Sequence, residues 1–249
     1  MPGMGTLMNA MAVIGGGLFG LAFRKGLPQR FQDTLLQALG LSTIFIGIAG
    51  ALEKMIVIQE EMISTRGTML AVISLALGAL LGEWIDIESR FERFGKWLKK
   101  KTGSEQDTRF MEGFITASLT ICIGAMAIVG ALQDGLSADP SLLMTKAVLD
   151  CLIIMIFTSA FGKGAIFSVI PLLLFQGSIT LLAQFIAPFL SGAMIANLSM
   201  VGSMLIFCVG VNLMFNTKIK VANLLPALLF ALLLTSSFAN EGQAYHHLL

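Results

Sequence analysis

Apolar runs, each about long enough to cross a bilayer, alternate with short polar stretches along this chain. A helix that spans the hydrocarbon layer needs roughly 17–25 mostly apolar residues. Such runs fall at about 5–23, 35–53, 67–85, 112–132, 141–161, 165–187, 193–214 and 220–238. The pattern predicts an all-α integral membrane protein with about eight transmembrane helices. The sixth run is the weakest, interrupted by Pro171 and by Gln176-Gly177-Ser178. Pro171 removes a backbone donor and frees a carbonyl one turn earlier, and Gly177 eases a further break. If this run re-enters instead of crossing, the count is seven.

The basic residues orient these spans, because short cytoplasmic loops are enriched in Lys and Arg. With eight spans, one side holds Arg24, Lys25, Arg30, the group from Arg90 to Arg109, Lys163, Lys218 and Lys220. The other side holds only Lys54, Arg66 and Lys146. The asymmetry predicts both termini on the outer side of the membrane. The first run has no positive charge before it and Arg24-Lys25 after it, the reverse of a cleavable secretory signal. Between the third and fourth runs, Trp84, Ile87, Phe91, Phe94 and Leu98 recur at helical steps, with charges mostly on other faces. This predicts an amphipathic helix along the cytoplasmic interface, followed by the basic anchor Lys99-Lys100-Lys101.

The early spans repeat. Gly5-Thr6 and Gly67-Thr68 open two of them, and at the same offset Gly16-x-x-x-Gly20 matches Gly78-x-x-x-Gly82. The following spans end in Gly50-Ala51-Leu52 and Gly130-Ala131-Leu132. Residues 5–53 and 67–132 therefore read as two copies of a helical hairpin, with a second half at 141–238 and a polar tail at 239–249, all within one transmembrane domain, 1–249. Gly16, Gly20, Gly78 and Gly82 are expected to seat neighbouring helices, since close approach in lipid needs small residues.

Lys146 and Asp150 stand out chemically. They lie four residues apart on one helical face, inside a run that is otherwise apolar from Pro140 to Phe161. Ionisable residues at that depth are costly unless paired, and usually mark a functional site. The depth of Asp150 depends on whether the span starts nearer Pro140 or Thr145. The expected binding residues are Asp150, Lys146, Gln176, Ser178 and Asn197, with the helix break at Pro171 and Gly177. Asp134 and Asp139 sit in the expected outer loop before the pair. Serine, threonine, asparagine and glutamine in such spans also hydrogen-bond simply between helices. Glu53, Glu60 and Glu61 with Lys54 read as a solvated loop outside the second span.

Composition narrows the classes. Only 12% of residues are charged, against about 25% in soluble domains, and the mean hydropathy is +0.85. A net charge of +1 gives no nucleic-acid footprint. Cys122, Cys151 and Cys208 lie singly in apolar runs and read as small buried hydrophobes. No metal site, cofactor or catalytic residue is expected: His246 and His247 lie in the polar tail, and no serine has a base placed for it. Membrane lipid and an unidentified small solute or ion are the expected partners, and small-residue faces suggest a homo-oligomer, a dimer first.

Several motifs resemble the YqgA-like bacterial membrane proteins, a family built on domain of unknown function 554. They include Gly5-Thr6-x-x-Asn9, Gly82-Glu83-Trp84-Ile85-Asp86-Ile87-Glu88, Glu112-Gly113-Phe114-x-Thr116-Ala117-Ser118 and Gly124-Ala125-Met126-Ala127-Ile128. Gln133-Asp134-Gly135-Leu136, Phe175-Gln176-Gly177-Ser178 and Lys220-Val221-Ala222-Asn223-Leu224-Leu225-Pro226-Ala227 belong to the same set. The resemblance implies a bacterial inner membrane and no catalytic assignment. The residues point first to a secondary transporter or exchanger, with Asp150 as cation-binding group and Lys146 as counter-charge. A non-transporting scaffold or sensor, with a structural pair, is the alternative, and a passive channel is third.

Overall fold

The computed structural model describes residues 2–24, 28–59, 62–122 and 125–235. The chain is helical almost throughout. Its elements are α1 (Met4–Arg24), α2 (Gln29–Met55), strands β1 (Ile56–Gln59) and β2 (Met62–Thr65), α3 (Thr68–Ile85), α4 (Ile87–Lys101), α5 (Phe110–Cys122) and α6 (Ala125–Ser137). There follow α7 (Ser141–Phe161), a 3-10 turn (Lys163–Ser168), α8 (Val169–Leu181), α9 (Ala183–Ile186) and α10 (Gly192–Phe215). The last described helix, α11 (Val221–Thr235), has a turn at Leu225 before Pro226.

Among the described residues, five helical segments are long and apolar enough to cross a membrane: Met4–Phe23, Thr68–Ile85, Ser141–Phe161, Lys163–Leu181 and Gly192–Phe215. A sixth is counted if α5 and α6 are one span bent by 61°. α2 covers the second expected span, though only part of its side chains is described. α11 is apolar but shorter. Leu80, Trp84, Leu181, Phe185 and Phe189 are exposed. Such outward apolar surface suits lipid and would be a liability in water.

Glycines set which helices touch. A side chain at Gly16 would meet the Cys151 carbonyl and one at Gly20 the Met155 carbonyl, so α1 and α7 run parallel. Gly40, Gly47 and Gly50 lie against Met214, Phe207 and Ser203, so α2 and α10 are antiparallel. Gly78 and Gly82 lie against Ala227 and Asn223, making α3 and α11 antiparallel. Gly164 abuts Phe110, and Gly135 abuts Thr180, so α5–α6 runs alongside the 3-10 turn and α8 in the same direction. The matching Gly-x-x-x-Gly pairs thus seat partners of opposite direction.

Three local expectations change. The expected break is not at Pro171 or Gly177: α8 runs unbroken through Gly177, and Pro171 occupies its first turn, where a missing N–H costs no helical bond, while α5 and α6 of the fourth run meet at 61°. β1 and β2 pair antiparallel, Ile56 opposite Thr65 and Gln59 opposite Met62, where a solvated loop is expected. Glu60 and Glu61 lie outside the described residues. Trp84 does not share a face with α4, because Asp86 adopts a left-handed conformation (φ 55°) and turns a corner between α3 and α4. Phe91 and Leu98 of α4 then pack with Phe110 and Phe114 of α5.

Candidate functional site

α7 starts at Ser141, capped by the Asp139 carboxylate, which accepts from the Ser141 backbone N–H at 3.0 Å. Asp150 therefore stands one residue from the midpoint of a 21-residue helix. The start near Pro140 makes the pair central within α7. Lys146 and Asp150 form a buried ion pair, their side chains 8% and 5% exposed. The ammonium also donates to the Ile121 carbonyl at 2.8 Å. That carbonyl lies near the end of α5 as described, on the side where α5 and α6 meet at 61°. Lys146 thus ties α7 to the bent fourth segment.

Further polar groups converge on the pair. Asn9 of α1 donates to Asp150 Oδ2 at 2.9 Å and to Gln176 Oε1 at 3.2 Å. One turn along α1, the Thr6 backbone N–H donates to Asp134 Oδ2 at 3.2 Å, and the Thr6 and Thr180 hydroxyls lie 3.1 Å apart. Thr6, Asn9, Asp134, Gln176 and Thr180 are all buried. Below them lies an apolar core of Ala10, Val13, Ile121, Ile154 and Phe157. Three buried atoms of the cluster, Asn9 Oδ1, Asp134 Oδ1 and Gln176 Nε2, make no hydrogen bond within the protein.

Of the five expected binding residues, Asp150, Lys146 and Gln176 come together. Ser178 is exposed and bonds its own helix at the Phe175 carbonyl. Asn197 pairs with Thr235 at 2.8 Å, in a separate contact between α10 and α11. Both corrections follow from helix phase. Gln176 and Thr180 share a face of α8, and Ser178 lies across from it. Asp134 is not a loop residue but a fully buried member of α6. Sequence reasoning does not single out Thr6, Asn9, Asp134 or Thr180 as site residues, although Thr6/Asn9 and Gln176/Thr180 have the i,i+3 and i,i+4 spacing of one helical face.

A second polar group locks the far end. Lys220 pairs with Glu83 at 2.5 Å, Asn223 donates to Glu83 Oε2 at 2.6 Å, and the Glu88 backbone N–H donates to Asn223 Oδ1 at 2.7 Å. Asn212 pins the following loop by bonding both the N–H and the carbonyl of Ile219. Hydrogen bonding to Glu83 raises the Lys220 pKa, and a hydrogen bond from Ser89 lowers that of Asp86. A polar cavity of about 500 Å³ opens here, walled by Asp86, Glu88, Glu92, Glu112, Asn212 and Lys218 among others.

Burial is the main cause that raises the Glu88 pKa above its ordinary 4.5, against an opposing hydrogen bond from the Ala222 N–H. A raised carboxyl pKa means the folded chain holds its proton more tightly than the unfolded one, so the cost of ionised Glu88 is present at neutral pH. It disappears as pH falls through the raised value toward 4.5. Glu88→Gln, which keeps an acceptor for Ala222, is expected to raise the melting midpoint at pH 7.5 and to lose that advantage near pH 4. An advantage that grows on acidification would contradict this.

Residues 4–236 match the family described as Protein of unknown function (DUF554). The chain belongs to this family. It is 32% identical over 225 residues to the uncharacterized membrane protein YdfK of Bacillus subtilis (strain 168), covering 90% of this chain and 92% of that protein. It is 28% identical over 242 residues to the uncharacterized protein YqgA of Escherichia coli (strain K12), covering 94% and 97%. No solved structure matches the chain. Its apolar helices and its membrane-protein relative make this family member a multi-pass membrane protein.

Proposed function

We propose that the protein is a secondary transporter or exchanger of a small solute or ion across the bacterial inner membrane. The carrying observation is the buried Lys146–Asp150 pair beside a bent helical segment, with Lys146 bonded to the Ile121 carbonyl. Helix ends at mid-membrane supply partial charges and open backbone groups, which is how broken helices hold substrates and coupling ions in carriers. The pair is occluded, lining neither the cavity at the Glu83–Lys220 end nor the apolar groove beside Cys122, Pro171 and Phe175. The polar cavity still comes close, since its wall includes Thr116, five residues before Ile121 and so about 7.5 Å along α5.

The finer topology belongs to this proposal. Eight spans with both termini outside require spans one and five, and four and six, to run alike, and two and seven, and three and eight, to run oppositely. The helix directions set by the glycine contacts fit that scheme. α4 then lies along the cytoplasmic surface with its basic end as an anchor, and the protein works as a homo-oligomer, a dimer first. The scaffold reading, in which the pair fixes helix register, draws on the closed packing around it. Flux separates the two. In proteoliposomes loaded with a pH-sensitive dye and challenged in turn with Na⁺, K⁺ and small organic ions, the native protein is expected to couple at least one of these to proton movement. Asp150→Asn should abolish that coupling while remaining monodisperse, and unchanged coupling in the variant would sink the assignment.

A further inference from the structure

The buried cluster carries an unbalanced charge. Lys146 is committed to Asp150 and to the Ile121 carbonyl. Asp134, 0% exposed, receives one backbone hydrogen bond from Thr6 through Oδ2, while its Oδ1 has no partner. Among the described residues, the elements packed on α6 offer it no other counter-charge. α7 contributes Lys146 and Asp150; α1 contributes Thr6 and Asn9, its only charged residue being Arg24 at the far end. α8, α9 and α10 hold no acidic or basic residue. Two carboxylates therefore face one ammonium. An unpaired buried carboxylate costs several kcal/mol, so such a group is neutralised or takes a positive ligand.

Asp134 also lies in the last turn and a half of α6, where the helix end is partially negative and favours a cation. One turn deeper, Asn9 Oδ1 is a second buried acceptor without a donor. Hard cations want such oxygens. A divalent cage is not matched, since no group of three or more His, Cys, Asp or Glu side chains could hold a metal among the described residues.

We infer that Asp134 is a binding carboxylate for one monovalent cation, a proton or an alkali ion, outward of the Lys146–Asp150 pair. This deepens the transport reading by naming the coupling ion's class and the residue that takes it, and makes Lys146–Asp150 the fixed partner pair. Asp134 is also well placed to cap α1, and a purely structural cap predicts no response to cations.

The test reads binding, not flux, so its failure is distinct from failure of the transport reading. The full chain in detergent is melted in NaCl or KCl, with choline chloride holding ionic strength constant, and then across pH 5.5–8.5 in choline alone. For an alkali ion, the native midpoint rises by several degrees and saturates with Na⁺ or K⁺; for a proton, it rises on acidification instead. Asp134→Asn is expected to lose whichever response the native protein shows, and Gly15→Ala, where a methyl group meets nothing within 4 Å, to keep it. Should Asp134→Asn fail to fold, native protein is treated with a membrane-permeant carbodiimide and the adduct located by mass spectrometry. Asp134 is expected to be labelled, and labelling to fall as Na⁺, K⁺ or pH rises. A native midpoint indifferent to all three cations, a response that survives in Asp134→Asn, or absence of label on Asp134 would overturn the inference.

Discussion

Lys146→Met is expected to destabilise the fold by about 3–5 kcal/mol, because it removes one partner of a buried ion pair and leaves the other uncompensated. The loss has two parts. Asp150, 3% exposed, would keep its charge with only the Asn9 amide to meet it, and the Ile121 carbonyl would lose its bond from the ammonium. Lys146→Met/Asp150→Leu should regain most of the loss, since apolar replacement of both members of a buried pair is often neutral or stabilising. Melting midpoints of the purified single and double variants check this. A single variant as stable as the native protein would mean that the pair is not held in the buried geometry described.

Gly20→Val is expected to cost at least about 1–3 kcal/mol, the usual range for forcing volume into a packed core. A side chain there would fall on the backbone carbonyl of Met155, which cannot rotate aside as a side chain can. The consequence reaches the site, because α1 is held against α7 at Gly16 and Gly20 and brings Asn9 to Asp150. Separating the helices should therefore reduce coupled flux as well as stability. Gly15→Ala is the control: a methyl group there meets nothing within 4 Å, so its midpoint and flux should stay near the native values. Equal loss in both variants would show that the close contact at Gly20 does not govern this region.

Hydrophobic run length made the long apolar helices legible in the sequence, and one strong chemical oddity made Lys146 and Asp150 so. The break was misplaced because Pro171 and Gly177 are visible punctuation, yet proline is harmless in a first helical turn and Gly177 sits in an intact helix. The fourth run is apolar where α5 and α6 meet at 61°, so the bend leaves no polar signal in the sequence. The β1–β2 pairing had a signal, the β-branched Ile56-Val57-Ile58 facing Ile63-Ser64-Thr65, which the neighbouring acidic residues obscured. Asp134 and Asn9 were the larger omission. Their role comes from contacts across more than a hundred residues of chain, Thr6 to Asp134 and Asn9 to Asp150, and periodicity within one helix does not carry such pairings. The lock between Glu83, Lys220 and Asn223 was hidden for the same reason.

The central claim is that the Lys146–Asp150 pair works, and does not merely fix helix register. The most direct test is coupled flux through the Lys146→Met/Asp150→Leu variant in proteoliposomes, compared with native protein at matched reconstitution. The account predicts a folded variant with a near-native melting midpoint and no coupled flux; flux at the native rate through that apolar pair would contradict it.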